Sequence, residues 1–382
     1  MKRWMVCLFL LLFLYGLTAE TVQVTAFGYT LDLPPGWEVL DAQDPQLVSF
    51  TDSFHRAVFQ VAVFPAEAFR SASEILSFVK DKFKAQGDEA PFNYNGSNAV
   101  LADFTFQAGT HPSRGYVVGI QGNSYNYLLM TFTAEQFYPE YHDFLLSLLD
   151  SFAPGEEARL YPGPISQFYR SFPDPEPVQK TVRWGNSSLP VTVGTGEVEA
   201  NSVVIEREAR ILAKFANQPH LFPEAWKRYY QIIYRDTYPR LFPLADALGK
   251  YFVSQKIPRE RIPQELLSLL QAFTYERKPS LSDLESPLEA ALSAKGDCDA
   301  RALIYVILLR NWGYDSILLV SSTYQHAMAA LDIPGEGARI EFEGKSYLVA
   351  ELTDQVGIGL INKTMADPTQ WIPIPFHGKI TP

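Results

Sequence analysis

Residues 295–315 read KGDCDARALIYVILLRNWGYD. Gly296 breaks whatever precedes it and Asp297 is a good helix N-cap, so Cys298 is expected at the first position of a helix. From Ala302 to Leu309 nearly every residue is apolar, which predicts a helix buried on most faces. Gly313 supplies the C-terminal stop. A thiol at a helix start meets exposed backbone N–H groups and the positive end of the helix dipole, and both favour the thiolate. The same amides can receive the oxyanion of an acyl intermediate. Asp297 and Asp299 oppose this by adding negative potential, so a reactive thiolate needs a nearby cation. Read alone, the helix fits a nucleophile and a small buried hydrophobe equally well.

The cation is sought downstream. Asp315–Ser322 is strongly apolar and predicts a strand, and Tyr324–Leu331 predicts a second. In that second strand Tyr324, His326, Met328 and Ala330 share a face. Arg339–Phe342 leads through the turn Glu343-Gly344-Lys345 into a third strand, Tyr347–Leu352, where Tyr347, Val349 and Glu351 share a face. If the second and third strands are neighbours, Glu351 orients the His326 imidazole and His326 pairs with Cys298. His377 is the rival histidine, but it lies in an irregular, proline-rich tail.

This order resembles the transglutaminase-like superfamily, a papain-related α+β fold with a Cys–His–Asp triad. The residues that carry the resemblance are GDCDARALIYVILLRNWGYDS, the HA of YQHAMAAL and YLVAELT, with LLQAFTYERKP and SPLEAAL as the lead-in. It spans roughly 242–353. It implies Cys298 as nucleophile, His326 as general base and acid, and Glu351 as the group that orients the histidine. The family usually has Asp where this chain has Glu351, and Asp354 is the fallback. Gln271 is read either as approaching the oxyanion site or as a plain helix-surface residue. The implied activity is acyl transfer, either a peptidase or amidase using water or a transglutaminase using an amine. The partner is a protein or peptide substrate, protein or cell-wall peptides first. The alternative is a catalytically inactive envelope protein that only binds or scaffolds. No cofactor and no metal is implied.

Upstream, a different pattern runs from Thr21 to about Phe152. Thr21–Phe27, Tyr29–Leu33, Ala57–Phe64, Ala99–Gln107, Tyr116–Gln121 and Tyr125–Thr133 read as strands, with helices over Phe69–Gln86 and Glu135–Phe152. That order implies an antiparallel sheet with helices packed on it. FGYTLDLPPGW at its start and LLSLLDSF at its end resemble the PsbP/Mog1-like α/β sandwich family, which implies binding or scaffolding. Pro154, Pro162, Pro164, Pro173, Pro175 and Pro177 then predict a stiff linker. Val178–Trp184 and Leu189–Val193 predict a hairpin across Gly185-Asn186-Ser187-Ser188. Helices are expected over Glu206–Phe215, Pro223–Tyr234, Leu241–Gln255 and Pro263–Phe273, with Tyr229 and Tyr230 as packing aromatics.

The chain has 382 residues, 47% hydrophobic and 20% charged, with a net charge of −11. That length suits two or three domains, and the apolar fraction excludes a disordered or fibrous protein. The acidic balance argues against a nucleic-acid partner. Residues 1–19 read as a signal peptide, with Lys2 and Arg3 ahead of an apolar run from Trp4 to Leu17 and small residues at Thr18-Ala19. An exported chain, periplasmic or secreted, is expected, with an uncleaved N-terminal anchor as the alternative and no stable membrane span after cleavage. Of the two cysteines, Cys7 lies in that peptide, leaving Cys298 without a disulfide partner. The expected organisation is a signal peptide at 1–19, an α/β domain at 20–153, a linker and hairpin at 154–201, and a transglutaminase-like domain at 202–382.

Overall fold

The computed structural model describes residues 21–277, 282 and 284–376. The expected signal peptide at 1–19, with Cys7, and the rival His377 lie outside the described residues. The chain first forms β1 (Thr21–Val24), β2 (Tyr29–Asp32), β3 (Trp37–Asp44), β4 (Leu47–Asp52) and β5 (Ala57–Pro65). Then follow α1 (Ala72–Phe83), β6 (Gln86–Tyr94), β7 (Ser97–Ala108), β8 (His111–Ile120), β9 (Tyr125–Ala134) and α2 (Tyr138–Ser151). Strands β3 to β9 build one antiparallel sheet in the order β3-β4-β5-β9-β8-β7-β6. Alternation along each strand serves two helices. Val100, Ala102, Phe104 and Val117 pack with Ile75, Leu76 and Val79 of α1, while Leu101, Val118 and Leu129 pack with Leu148 and Leu149 of α2.

The sequence reading misses β3, β4 and β6. Strands β3 and β6 are the two edges of the sheet, largely exposed, so charged residues dilute their alternation. Pro91 is tolerated in β6 because that strand pairs only with β7. The helix expected to reach Gln86 stops at Phe83, where Lys84 turns left-handed with φ 53°.

The stretch expected as a stiff linker is built from short packed elements. A two-residue strand, β10 (Ala153–Pro154), extends β2. Helix α3 (Pro164–Tyr169) begins on a proline, where the missing N–H costs no helical bond. The Asp150 carboxylate accepts from the Ile165 and Ser166 amides at 2.8 and 2.9 Å. The hairpin β11 (Pro177–Trp184) and β12 (Ser187–Gly194) turns through two residues, Gly185-Asn186, rather than four. Its fully buried Trp184 donates to the Ala291 carbonyl at 2.8 Å.

Helices α4 (Glu197–Ala213), α5 (Phe222–Thr237), α6 (Phe242–Ser254), α7 (Ile262–Gln271), α8 (Pro287–Ser293) and α9 (Cys298–Asn311) follow. The chain ends in β13 (Ser316–Ser321), β14 (His326–Leu331), β15 (Arg339–Phe342), β16 (Lys345–Ala350) and β17 (Ile372–Ile374). These strands form an antiparallel sheet in the order β15-β16-β14-β13-β17. One face, with Leu318, Val320, Ala327 and Ala329, packs on α9. The other holds Met328, Ala330, Val349 and Trp371. The whole is a mixed helix and sheet structure with an N-terminal antiparallel sheet.

A buried polar seam joins α4 and α5 to α2. Arg207 pairs with Asp150 at 2.6 Å and Glu208 at 2.8 Å. Arg228 reaches Glu208 at 3.1 Å, the Ser147 hydroxyl at 2.9 Å and the Asp32 carbonyl at 2.8 Å. Buried charges persist only when paired and hydrogen-bonded in this way.

Candidate functional site

Asp297 has extended backbone (φ −81°, ψ −174°), and its carboxylate accepts the Ala300 amide at 2.8 Å. That cap starts α9 at Cys298, as expected from the sequence. Cys298 is 7% exposed. Its thiol donates to Asp299 Oδ2 at 3.3 Å, and the backbone amide of Ala327 lies against the sulfur. The other Asp299 oxygen accepts the Tyr230 hydroxyl. Burial pushes the Cys298 thiol up, the charges of Asp299 and Asp297 push it further, and the Ala327 amide opposes them. Cys298 therefore rests as a neutral thiol. Asp297 itself is pushed up to about 7 by burial and by Asp299, against the opposing backbone amides of Ala300 and Glu285.

His326 begins β14, directly after Gln325 in the left-handed region (φ 48°). Its neighbour β16 pairs Ala350 with Ala329 and ends there, one residue before Glu351. Glu351 thus lies just past the strand expected to contain it. His326 Nε2 and Glu351 Oε2 are 2.8 Å apart. Glu351 Oε1 accepts the Thr353 amide at 2.7 Å and its hydroxyl at 2.6 Å. Burial opposes ionisation of Glu351, but the bonds and charge of His326 and the Thr353 bonds outweigh it and hold the carboxyl below its ordinary value. An ionised Glu351 can only accept, so Nε2 carries the proton and a neutral His326 ring keeps its lone pair on Nδ1. Trp371 meets the ring edge-on, centroids 6.2 Å apart.

Asp354, the fallback acid, is exposed, and the acid bonded to His326 is Glu351. Gln271 fits neither of its two readings. It is buried, and its Nε2 donates to the carbonyls of Glu351 (2.8 Å) and Val356 (2.9 Å), so it fixes the backbone that carries the acid.

The fold thus brings His326 and Glu351 together and sets the Cys298 sulfur against Ala327, the residue after His326. Among the described residues no hydrogen bond links Cys298 to His326; the thiol is held by Asp299. A cleft of about 770 Å³ touches both Asp299 and His326. Three participants escape the sequence reading. Asp299 is the thiol's acceptor and not only a source of negative potential. Tyr230 packs as expected but also donates to Asp299. Arg301, 1% exposed, donates to the carbonyls of Gly296 (3.0 Å), Phe273 (3.0 Å) and Leu352 (3.4 Å). It ties the loop before α9 to the end of α7 and to the residue after Glu351. The one available signal was an arginine flanked by apolar residues on a helix expected to be buried, because a buried guanidinium demands acceptors.

No family model matches the chain, and no curated protein matches it. Solved structures similar to parts of it include the cyanobacterial PsbP protein CyanoP from Synechocystis sp. PCC 6803, at 14% identity and TM-score 0.31, covering 37% of this chain and 95% of that one. LpqN, involved in cell envelope biogenesis of Mycobacterium tuberculosis, is similar at 12% identity and TM-score 0.25, covering 35% of this chain and 88% of that one. A protein from Bacteroides thetaiotaomicron VPI-5482 is similar at 10% identity and TM-score 0.26, covering 87% of this chain and 88% of that one. Among the described residues no helix is long and apolar enough to cross a membrane.

Proposed function

We propose that this chain is an exported, transglutaminase-like cysteine acyl-transfer enzyme, a peptidase or amidase acting on protein or cell-wall peptides. The observation that carries the reading is the His326–Glu351 pair at 2.8 Å, with the Cys298 sulfur against the amide of Ala327, the residue after His326. Export rests on reading residues 1–19 as a signal peptide. In the proposed reaction the thiol proton passes from Cys298 to Nδ1 of His326, while Glu351 holds Nε2–H and stabilises the imidazolium. The sulfur forms a bond to the substrate carbonyl carbon, and the first amides of α9 receive the oxyanion. The C–N bond then breaks, and the amine leaves with the proton from His326. Water, deprotonated by His326, cleaves the thioester and restores the thiol. For this cycle Cys298 must exchange its bond to Asp299 for one to His326.

A second reading is favoured by that same bond. A thiol held neutral by two neighbouring aspartates fits a binding or scaffold protein in which the catalytic residues are structural.

The test is the pH dependence of iodoacetamide alkylation at Cys298, compared with His326→Ala, with Cys298→Ala as the blank. The enzyme reading expects Cys298 near neutral pH to react faster than a free cysteine, and to slow at least about tenfold when His326 is lost. A thiol no faster than free cysteine and indifferent to His326 would establish the scaffold reading.

A further inference from the structure

The cleft that reaches His326 and Asp299 has one wall made by two helices, and each presents an apolar stripe to it. On α4 the stripe is Ala209, Leu212, Ala213 and, just past the helix, Ala216, at the i, i+3, i+4, i+7 spacing of one helical face. On α5 it is Phe222, Trp226, Tyr229 and Tyr230, again one face. The α4 stripe is small apart from Leu212, the α5 stripe is aromatic, and both line the same cleft. The wall they make is graded. Ala213 and Ala216 are exposed, Leu212, Phe222 and Trp226 are half-buried, and Ala209, Tyr229 and Tyr230 are buried. The apolar surface therefore deepens toward Tyr230, whose hydroxyl bonds Asp299 beside Cys298.

Two further observations point to a ligand. Tyr229 is 3% exposed and lines the cleft, yet its hydroxyl has no hydrogen-bond partner among the described residues. A buried hydroxyl without a partner is costly, and a main-chain carbonyl or amide of a bound chain would supply one. The cleft volume, about 770 Å³, lies within the roughly 300–1,000 Å³ of sites that enclose small ligands. The wall is also held from behind. Phe215, at the end of α4, meets Phe144 of α2 edge-on at 6.2 Å, and Arg207 is locked to Asp150.

We infer that the α4–α5 wall binds a peptide-like acyl donor through a bulky apolar side chain, aromatic for preference, close to the carbonyl presented to Cys298. The inference rests on the acyl-transfer reading of the site. The side chain lies in the cleft against the α4 and α5 stripes, and the donor's main chain engages the Tyr229 hydroxyl.

The test is made on the full chain carrying Cys298→Ala, so that binding is read without chemistry. Two capped tetrapeptide amides, alike except for phenylalanine or glycine beside the acyl residue, are titrated by calorimetry. The phenylalanine peptide is expected to bind at least about tenfold more tightly, the scale of one large apolar contact. Ala213→Trp, at an exposed helix end where folding is undisturbed, is expected to erase that preference by filling the cleft along the wall. Trp226→Ala is expected to reduce it. Equal affinities for the two peptides, no detectable binding of the phenylalanine peptide, or a preference that survives Ala213→Trp in a protein of unchanged melting temperature overturns the inference. Because the thiol is absent from these proteins, the outcome is independent of the alkylation experiment that decides whether Cys298 reacts.

Discussion

Replacing Asp299 by asparagine isolates what keeps Cys298 protonated. Asparagine keeps one carbonyl oxygen, which can still accept the Tyr230 hydroxyl, and puts an amide N–H group where the second oxygen accepts the thiol, so the variant removes both the negative charge and the thiol's acceptor. The sulfur and Asp299 Oδ2 are 3.3 Å apart. At an effective dielectric of about 20, a thiolate and a carboxylate at that distance repel each other by about 4–5 kcal/mol. Burial of the sulfur, the largest cause of the raised thiol, is unchanged in the variant, and Asp297 stays in place. If half of the repulsion is lost to rearrangement and water, about 2 kcal/mol remains, and each 1.4 kcal/mol is a tenfold change in thiolate population. The second-order rate of alkylation by iodoacetamide, followed by intact mass between about pH 6 and 10, is therefore expected to shift to lower pH, with at least about a tenfold gain near pH 8. Cys298 is the one cysteine among the described residues, so the adduct is unambiguous there. A pH–rate profile superimposable on the parent, from a variant that unfolds at the same denaturant concentration, would refute the claim that Asp299 holds the proton.

Asp297→Asn retains a good N-cap but removes a buried acid. Because the folded carboxyl is pushed up to about 7 from its ordinary 3.8, the contribution of Asp297 to stability falls as pH rises from about 4 to 7, and that fall is missing in the variant. The stability difference, measured by urea unfolding, is expected to grow in favour of the variant by on the order of 2–4 kcal/mol across that window; a difference constant in pH contradicts the argument. Glu351→Gln has the opposite sign. The folded carboxyl of Glu351 is held below its ordinary value, so its contribution is present above the ordinary carboxylate range and is lost as pH falls. Acid unfolding of the variant should be correspondingly flatter, and any His326-dependent alkylation of Cys298 should drop. Arg301→Met leaves three buried carbonyls without their donor and is expected to cost about 3 kcal/mol in urea unfolding. Thr353→Val, which keeps the amide bond to Glu351 and loses the hydroxyl bond, is expected to cost about 1 kcal/mol.

The features that could be read from the sequence share one property: each is specified within a few residues of itself. The capped start at Cys298 needs Asp297 and the apolar run behind it, and the hairpin that leads to Glu351 needs a turn at Gly344, expected as Glu343-Gly344-Lys345 and formed by Glu343-Gly344, both left-handed, with Lys345 already in the strand. The meeting of His326 and Glu351 then follows from one added assumption, that β14 and β16 are neighbours. The edge strands β3 and β6 fail this local test because solvent, not a core, faces much of their length. The thiol's own environment fails it for a different reason. Tyr230 lies 69 positions from Asp299, and nothing local in either segment encodes the hydroxyl that converts Asp299 into a two-donor acceptor. That contact changes the meaning of GDCD. Read locally, the two aspartates are a general electrostatic penalty on the thiolate. In the fold they are distinct, with Asp297 capping the helix while pushed toward its neutral form and Asp299 receiving the thiol proton's hydrogen bond. The decisive question for this site is therefore the competition between two acceptors, Asp299 and the Nδ1 of His326, for one proton. The first is in place; the second belongs to the residue before the one whose amide touches the sulfur, and among the described residues no hydrogen bond joins it to the thiol.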